Sequence, residues 1–91
     1  MAWKIEFEQK AQKELAKLTP EIADRILSFL EERVVDRGDP RMIGSALQGA
    51  KLGNLWRYRV GDYRVVCDIQ DKVLTVLVVK VGKRGSIYKG K

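Results

Sequence analysis

At 91 residues, 45% hydrophobic and 33% charged, the chain can bury one small core and supports one domain, 1–91. Its net charge of +6 is uneven: residues 1–40 carry seven Lys/Arg and nine Asp/Glu, residues 41–91 eleven and three, a split that points to nucleic acid or an acidic protein as partner. Histidine is absent, which excludes imidazole acid–base catalysis, a Ser-His-Asp triad and His-ligated metal sites.

Trp3, Ile5 and Phe7 alternate with Lys4, Glu6 and Glu8, the pattern of a short half-buried strand. From Gln9 the period turns helical, with Ala11, Leu15 and Leu18 on one face. Thr19-Pro20-Glu21 then reads as a second helix start: a hydroxyl N-cap, proline at the first position and an acid facing the dipole. Its inner stripe is Ile22, Ile26, Phe29 and Leu30, completed by Arg33 or Val34. It should stop near Asp36–Gly38, where Gly38 can take a left-handed cap and Asp39-Pro40 blocks continuation. Residues 39–53 are irregular; Met42, Ile43, Ala46 and Leu47 can anchor a short turn of helix.

Leu55–Val60 and Tyr63–Ile69 are two β-rich runs broken by Gly61-Asp62, the signature of a tight hairpin. A two-residue loop pairs Val60 with Tyr63, Arg59 with Arg64, Tyr58 with Val65 and Arg57 with Val66. Paired residues share a face, so Trp56, Tyr58, Val60, Tyr63, Val65 and Cys67 form the core side. Arg57, Arg59 and Arg64 then crowd the other. A turn near Asp71-Lys72 leads to Val73–Val81, apolar enough for a strand central in the sheet or covered on both faces. Residues 85–91 read as a basic tail apart from Ile87 and Tyr88. The order is βααβββ, an α+β domain whose helical hairpin packs on one face of a mostly antiparallel sheet.

Cys67 falls on the core side and reads as a small buried apolar residue, not a nucleophile. Trp3 and Trp56 read as packing residues, and Glu31-Glu32 as a solvated helix face. No apolar run is long enough for a spanning helix, and Met-Ala-Trp-Lys-Ile-Glu is no secretory leader, so the expected compartment is the cytoplasm, with no membrane partner. The chemistry-bearing candidates are Arg57, Arg59, Arg64, Lys80, Lys83, Arg84 and Tyr88. Each alone is a solvated charge or ring. Together they are different. Like charges paired across strands repel, guanidinium forks match phosphate oxygens, and a tyrosine ring can stack on a base.

The βααβββ order, Ala46-Leu47-Gln48-Gly49, Trp56-Arg57-Tyr58-Arg59-Val60, Gly61-Asp62-Tyr63-Arg64-Val65-Val66 and Val81-Gly82-Lys83-Arg84 resemble the RelE/ParE toxin superfamily over nearly the whole chain. In the RelE branch the resemblance implies a toxin that enters the ribosomal A site and cuts mRNA without a cofactor or metal. The substrate's own 2′-hydroxyl attacks the adjacent phosphodiester. By position, Arg57 and Arg59 match two basic residues of the first hairpin strand, lysines in RelE itself. Arg64 matches the arginine that grips the phosphate, Arg84 the transition-state stabiliser and proton donor, and Tyr88 the tyrosine that orients the cut nucleotide. Lys80 and Lys83 would bind substrate. The general base stays open, because arginine does not deprotonate at accessible pH. Implied partners are the ribosome, mRNA and an acidic antitoxin, with operator DNA reached only through the antitoxin complex. Two other readings share the scaffold: a ParE-like toxin that inhibits gyrase by binding, and a non-catalytic RNA-binding domain.

Overall fold

The computed structural model describes residues 3–47 and 55–83. Strand β1 (Lys4–Phe7) is followed by helix α1 (Gln9–Ala16) and helix α2 (Pro20–Phe29), which runs on as a π-helical turn over Leu30–Val35. A 3₁₀ turn at Pro40–Met42 leads to the two-residue strand β2 (Ser45–Ala46). Strands β3 (Leu55–Val60) and β4 (Tyr63–Gln70), a 3₁₀ turn at Asp71–Val73 and strand β5 (Thr75–Lys83) complete the described fold. The sheet order is β1-β5-β4-β3-β2, with β1 parallel to β5 and the other pairings antiparallel.

Local chemistry explains the helices. Thr19 is extended and its side chain accepts from the Ile22 N–H at 3.4 Å, with Pro20 at the first helical position. Ile26, Leu30 and Val34 are fully buried. Four α-helical residues overshoot a full turn, so a stripe at steps of four drifts round the helix. The wider π turn, closed by Asp36 N–H to Glu31 C=O at 3.0 Å, advances less per residue and returns Val34 to the core. Of the two residues left open for that position, Val34 is buried and Arg33 exposed. Gly38 follows at φ +94°, ending the helix as expected.

The helices cover the face of the sheet that carries Tyr58, Val60, Val65, Cys67, Val76, Val78 and Val81, with Trp3, Ile5, Phe7, Leu15, Ile22 and Phe29 packed around them. The Phe29 ring meets Tyr58 edge-on at 6.0 Å. The expected hairpin register is reproduced pair for pair, from Trp56 opposite Cys67 to Val60 opposite Tyr63.

Two stretches differ from expectation. The last strand starts at Thr75, not Val73: the chain first makes the Asp71–Val73 turn, Leu74 takes a left-handed φ of 49°, and Val73 is left 59% exposed. Within 39–47 the structure adds β2, whose Ser45 and Ala46 pair with Arg57 and Trp56. Side chains pin this connection. Tyr58 donates its hydroxyl to Pro40 C=O at 2.5 Å, Trp56 Nε1 donates to Ile43 C=O at 2.7 Å, and Arg41 grips Asp71 through two 2.9 Å hydrogen bonds.

Gly44 is the tight point of that packing. It sits at φ +81°, and a Cβ there would lie 2.5 Å from Arg57 O and 2.7 Å from Trp56 Nε1. Gly38 also has positive φ, but nothing lies within 4 Å of its absent Cβ. Gly44→Ala is therefore expected to cost about 3 kcal/mol or more, and Gly38→Ala only about 1–2 kcal/mol, in urea unfolding. Equal losses would show that backbone strain alone, without the clash, sets the effect.

The Arg41 hydrogen bond holds the Asp71 carboxyl below its ordinary value. A lowered folded value stabilises above the ordinary carboxylate pKa of about 3.9, and that stabilisation is lost as pH falls through the folded value. Both groups are exposed, so the effect is small. Asp71→Asn should lower the urea midpoint slightly at neutral pH, with the difference shrinking below about pH 4. A difference that grows in acid would contradict the assignment.

Candidate nucleic-acid interface

Opposite the helices, the register lines up two rows of side chains across the strands. One runs Ser45, Arg57, Val66, Lys80; the next runs Arg59, Arg64, Gly82. Directly opposed residues on neighbouring strands hold their Cβ atoms about 5 Å apart, so three arginines and a lysine share one small field. Neither row contains an acidic residue. Arg59, Arg64 and Lys80 make no ion pair with a described residue; the Lys4–Glu6 and Arg41–Asp71 pairs lie elsewhere.

Each cation is held differently. Arg57 is half-buried and donates from Nη2 to Ser45 Oγ at 3.0 Å. Arg59 is exposed. Arg64 is only 6% exposed, and its Nη1 donates to Gly61 C=O at 3.2 Å and Tyr63 C=O at 3.1 Å. The hairpin turn thus orients the Arg64 fork and leaves three of its five N–H donors for other acceptors. Ser45 was not foreseen. A strand of two residues has no periodicity to find.

Lys80 owes its place to a β-bulge. Cys67 pairs with Val78, but Val66 pairs with Lys80, so Val79 is the extra residue. Without that insertion Lys80 would face Val65 on the buried side, and Val81 would point outward. The same register brings Lys80 to the arginines and sets Lys83, opposite Tyr63, on the helix-covered side at the end of β5. Arg84 and Tyr88 lie outside the described residues.

The two groups that could compete as nucleophiles are withdrawn. Burial pushes the Cys67 thiol and the Tyr58 hydroxyl well above their ordinary values, and both side chains are fully enclosed. Trp56, through its bond to Ile43, is a packing residue as expected. What these two rows offer is fixed positive charge, several N–H donors and one hydroxyl; the carboxylates on this face, Asp68 and Glu6, stand in the adjoining row with Leu55 and Leu77. Such a surface fits phosphate oxygens.

A family model of the ParE toxin of type II toxin–antitoxin systems, parDE, matches residues 5–88. Toxin RelG of Mycobacterium tuberculosis is 28% identical over 89 residues, spanning 98% of this chain and 99% of that one. Among solved structures, the fold resembles the RelBE2 toxin–antitoxin complex of M. tuberculosis (TM-score 0.80, 26% identity, covering 92% and 93% of the two chains). It also resembles the isolated RelE toxin of E. coli (TM-score 0.74, 26% identity, 96% and 92%) and the RelE–RelB complex of Pyrococcus horikoshii (TM-score 0.67, 30% identity, 93% and 98%). Fold, face and family model agree, and the chain belongs to the RelE/ParE superfamily of type II toxins.

Proposed function

We propose that this chain is a ribosome-dependent endoribonuclease toxin that cuts mRNA in the A site and so arrests translation and growth. The observation that carries the reading is the acid-free pair of rows Ser45-Arg57-Val66-Lys80 and Arg59-Arg64-Gly82 on the face of the hairpin away from the helices. In the reaction, the 2′-oxygen of one nucleotide forms a bond to the adjacent phosphorus and the bond to the 5′-oxygen breaks. A cyclic phosphate and a free 5′-hydroxyl result. One proton leaves the 2′-hydroxyl and one reaches the departing oxygen. Negative charge builds on the phosphoryl oxygens as the phosphorane forms, and preorganised cations stabilise that charge more than the ground state. Arg64, locked by its own turn, and Arg57, locked by Ser45, are preorganised in this sense. Lys80 binds the RNA backbone, whereas Lys83, expected to do the same, faces the helix-covered side and is left out of that field. Arg84 stabilises the charge on the leaving oxygen and Tyr88 orients the cut nucleotide, roles that come from the resemblance alone; the proton reaches that oxygen from water or ribosomal RNA.

An acidic antitoxin silences the toxin, and operator DNA is reached only through that complex. Two of the similar structures are toxin–antitoxin complexes, and the +8 of residues 41–91, eleven Lys/Arg against three Asp, favours an acidic partner. No helix among the described residues is long and apolar enough to cross a membrane, in keeping with action at cytoplasmic ribosomes. One observation favours a second reading: the matching family model is that of ParE toxins, whose branch inhibits gyrase by binding. Primer extension on mRNA from cells expressing the chain separates them. Codon-phased cuts confined to translated regions support cleavage; intact mRNA with an SOS response supports gyrase inhibition.

Arginine cannot serve as the base, so Arg57 and Arg59 act through charge, with water or ribosomal RNA taking the proton. Arg57→Lys and Arg59→Lys should stay within about tenfold of wild type in single-turnover cleavage of A-site mRNA on programmed ribosomes. The Gln variants should lose on the order of 10²–10³ in rate. Lys variants as slow as Gln would show that the bidentate fork, not the charge, is required.

A further inference from the structure

The far end of β5 has lost one neighbour. Strand β1 pairs with it only from Lys4–Thr75 to Phe7–Val78, and a last backbone contact runs from Glu8 N–H to Val78 C=O at 2.9 Å. The chain then turns into α1, so β5 continues to Lys83 with no described strand on its β1-side edge. Val81 directs its N–H to that edge. The group that meets it is a side chain from 67 residues earlier: Glu14 Oε1 of α1 accepts the Val81 N–H at 2.7 Å. A carboxylate accepting a backbone N–H makes a short, charge-assisted bond, roughly twice as strong as a neutral one. Glu14 is half-buried where α1 packs on β5, and it makes no ion pair among the described residues.

The place of this bond along the strand gives it consequence. Val81 lies one residue after Lys80, two before Lys83 and three before Arg84. It lies beyond the Val79 bulge, where the ladder has just been disrupted. A strand end with one neighbour and a bulge behind it is the kind of segment that frays first. We infer that Glu14 is a positioning residue: its carboxylate stands in for the missing strand and holds the end of β5 so that Lys80 is presented in one geometry. This rests on the reading that Lys80 acts on RNA. It adds a control on the far side of the sheet from the substrate. Displacement of a catalytic group by about 1 Å is enough to slow a positioned reaction severely.

The test compares Glu14→Ala with Glu14→Gln, whose amide oxygen can still accept. Amide hydrogen exchange at Val81 reads the tether directly, and single-turnover cleavage on programmed ribosomes reads its consequence. In Glu14→Ala, Val81 protection should fall about tenfold or more. The cleavage rate at saturating toxin should fall about tenfold while half-saturation moves less than about threefold, with the circular dichroism spectrum retained. Glu14→Gln should restore most of both. Unchanged Val81 exchange in Glu14→Ala overturns the tether. Loosened Val81 with undiminished cleavage overturns the positioning role. A wild-type chain that leaves ribosome-bound mRNA intact overturns the cleavage reading instead, and the exchange measurement still decides the tether.

Discussion

Everything in this molecule depends on the register of the β3–β4 hairpin. Gly61 takes φ +60° at the first turn position and Asp62 does not take positive φ, the pattern of a two-residue II′ turn. That turn pairs Val60 with Tyr63, and each later pair follows. A slip of one residue would exchange the faces, burying arginines and exposing Tyr58 and Val65. The slip is opposed from both sides. On the inner face the fully buried Tyr58, Val65 and Cys67 are packed under Ile26 and Leu30; on the outer face Arg64 grips the carbonyls of the turn itself.

The same constraint creates the functional surface. Cross-strand like charges work against folding, and the fold tolerates them because the core on the other face holds the strands in place. Arg59 opposite Arg64 is therefore charge concentrated by packing, with Arg59 the exposed member of the pair. A guanidinium presents its donors as a planar fork that matches phosphate oxygens, which suits this surface to a polyanion. A transferring phosphodiester needs that service from a scaffold in which Cys67 and Tyr58 are buried and protonated. Membership of the toxin superfamily and the proposed cleavage are thus linked through one physical feature, a charged face stabilised by its opposite side.

Much of this was legible in the residues. The hairpin register followed from Gly61-Asp62 and strict alternation; the second helix followed from Thr19-Pro20 at one end and Gly38 at the other. What escaped was set by contacts distant in sequence. Strand β2 exists because Trp56, Tyr58 and Arg57 reach back to Ile43, Pro40 and Ser45, and no local period announces it. The parallel pairing of β1 with β5 is likewise invisible to propensity. The bulge is an instructive miss. Within Thr75–Lys83, Val76 and Val78 face the core, and Lys80 sits at the same parity; a lysine there demands either a buried charge or a break in alternation. The break was readable, but the apolar run around it masked the period. Arg84 and Tyr88, beyond the described residues, rest on resemblance alone.

The central claim is that this face serves a reaction in which the substrate supplies its own nucleophile. The most direct measurement places on the ribosome an A-site mRNA whose attacking 2′-hydroxyl is replaced by a 2′-methoxy group, beside the unmodified message, and follows one turnover with purified toxin. The account predicts cleavage of the unmodified message to a cyclic phosphate and a 5′-hydroxyl, and no cleavage of the methylated one. Equal cleavage of both would contradict it.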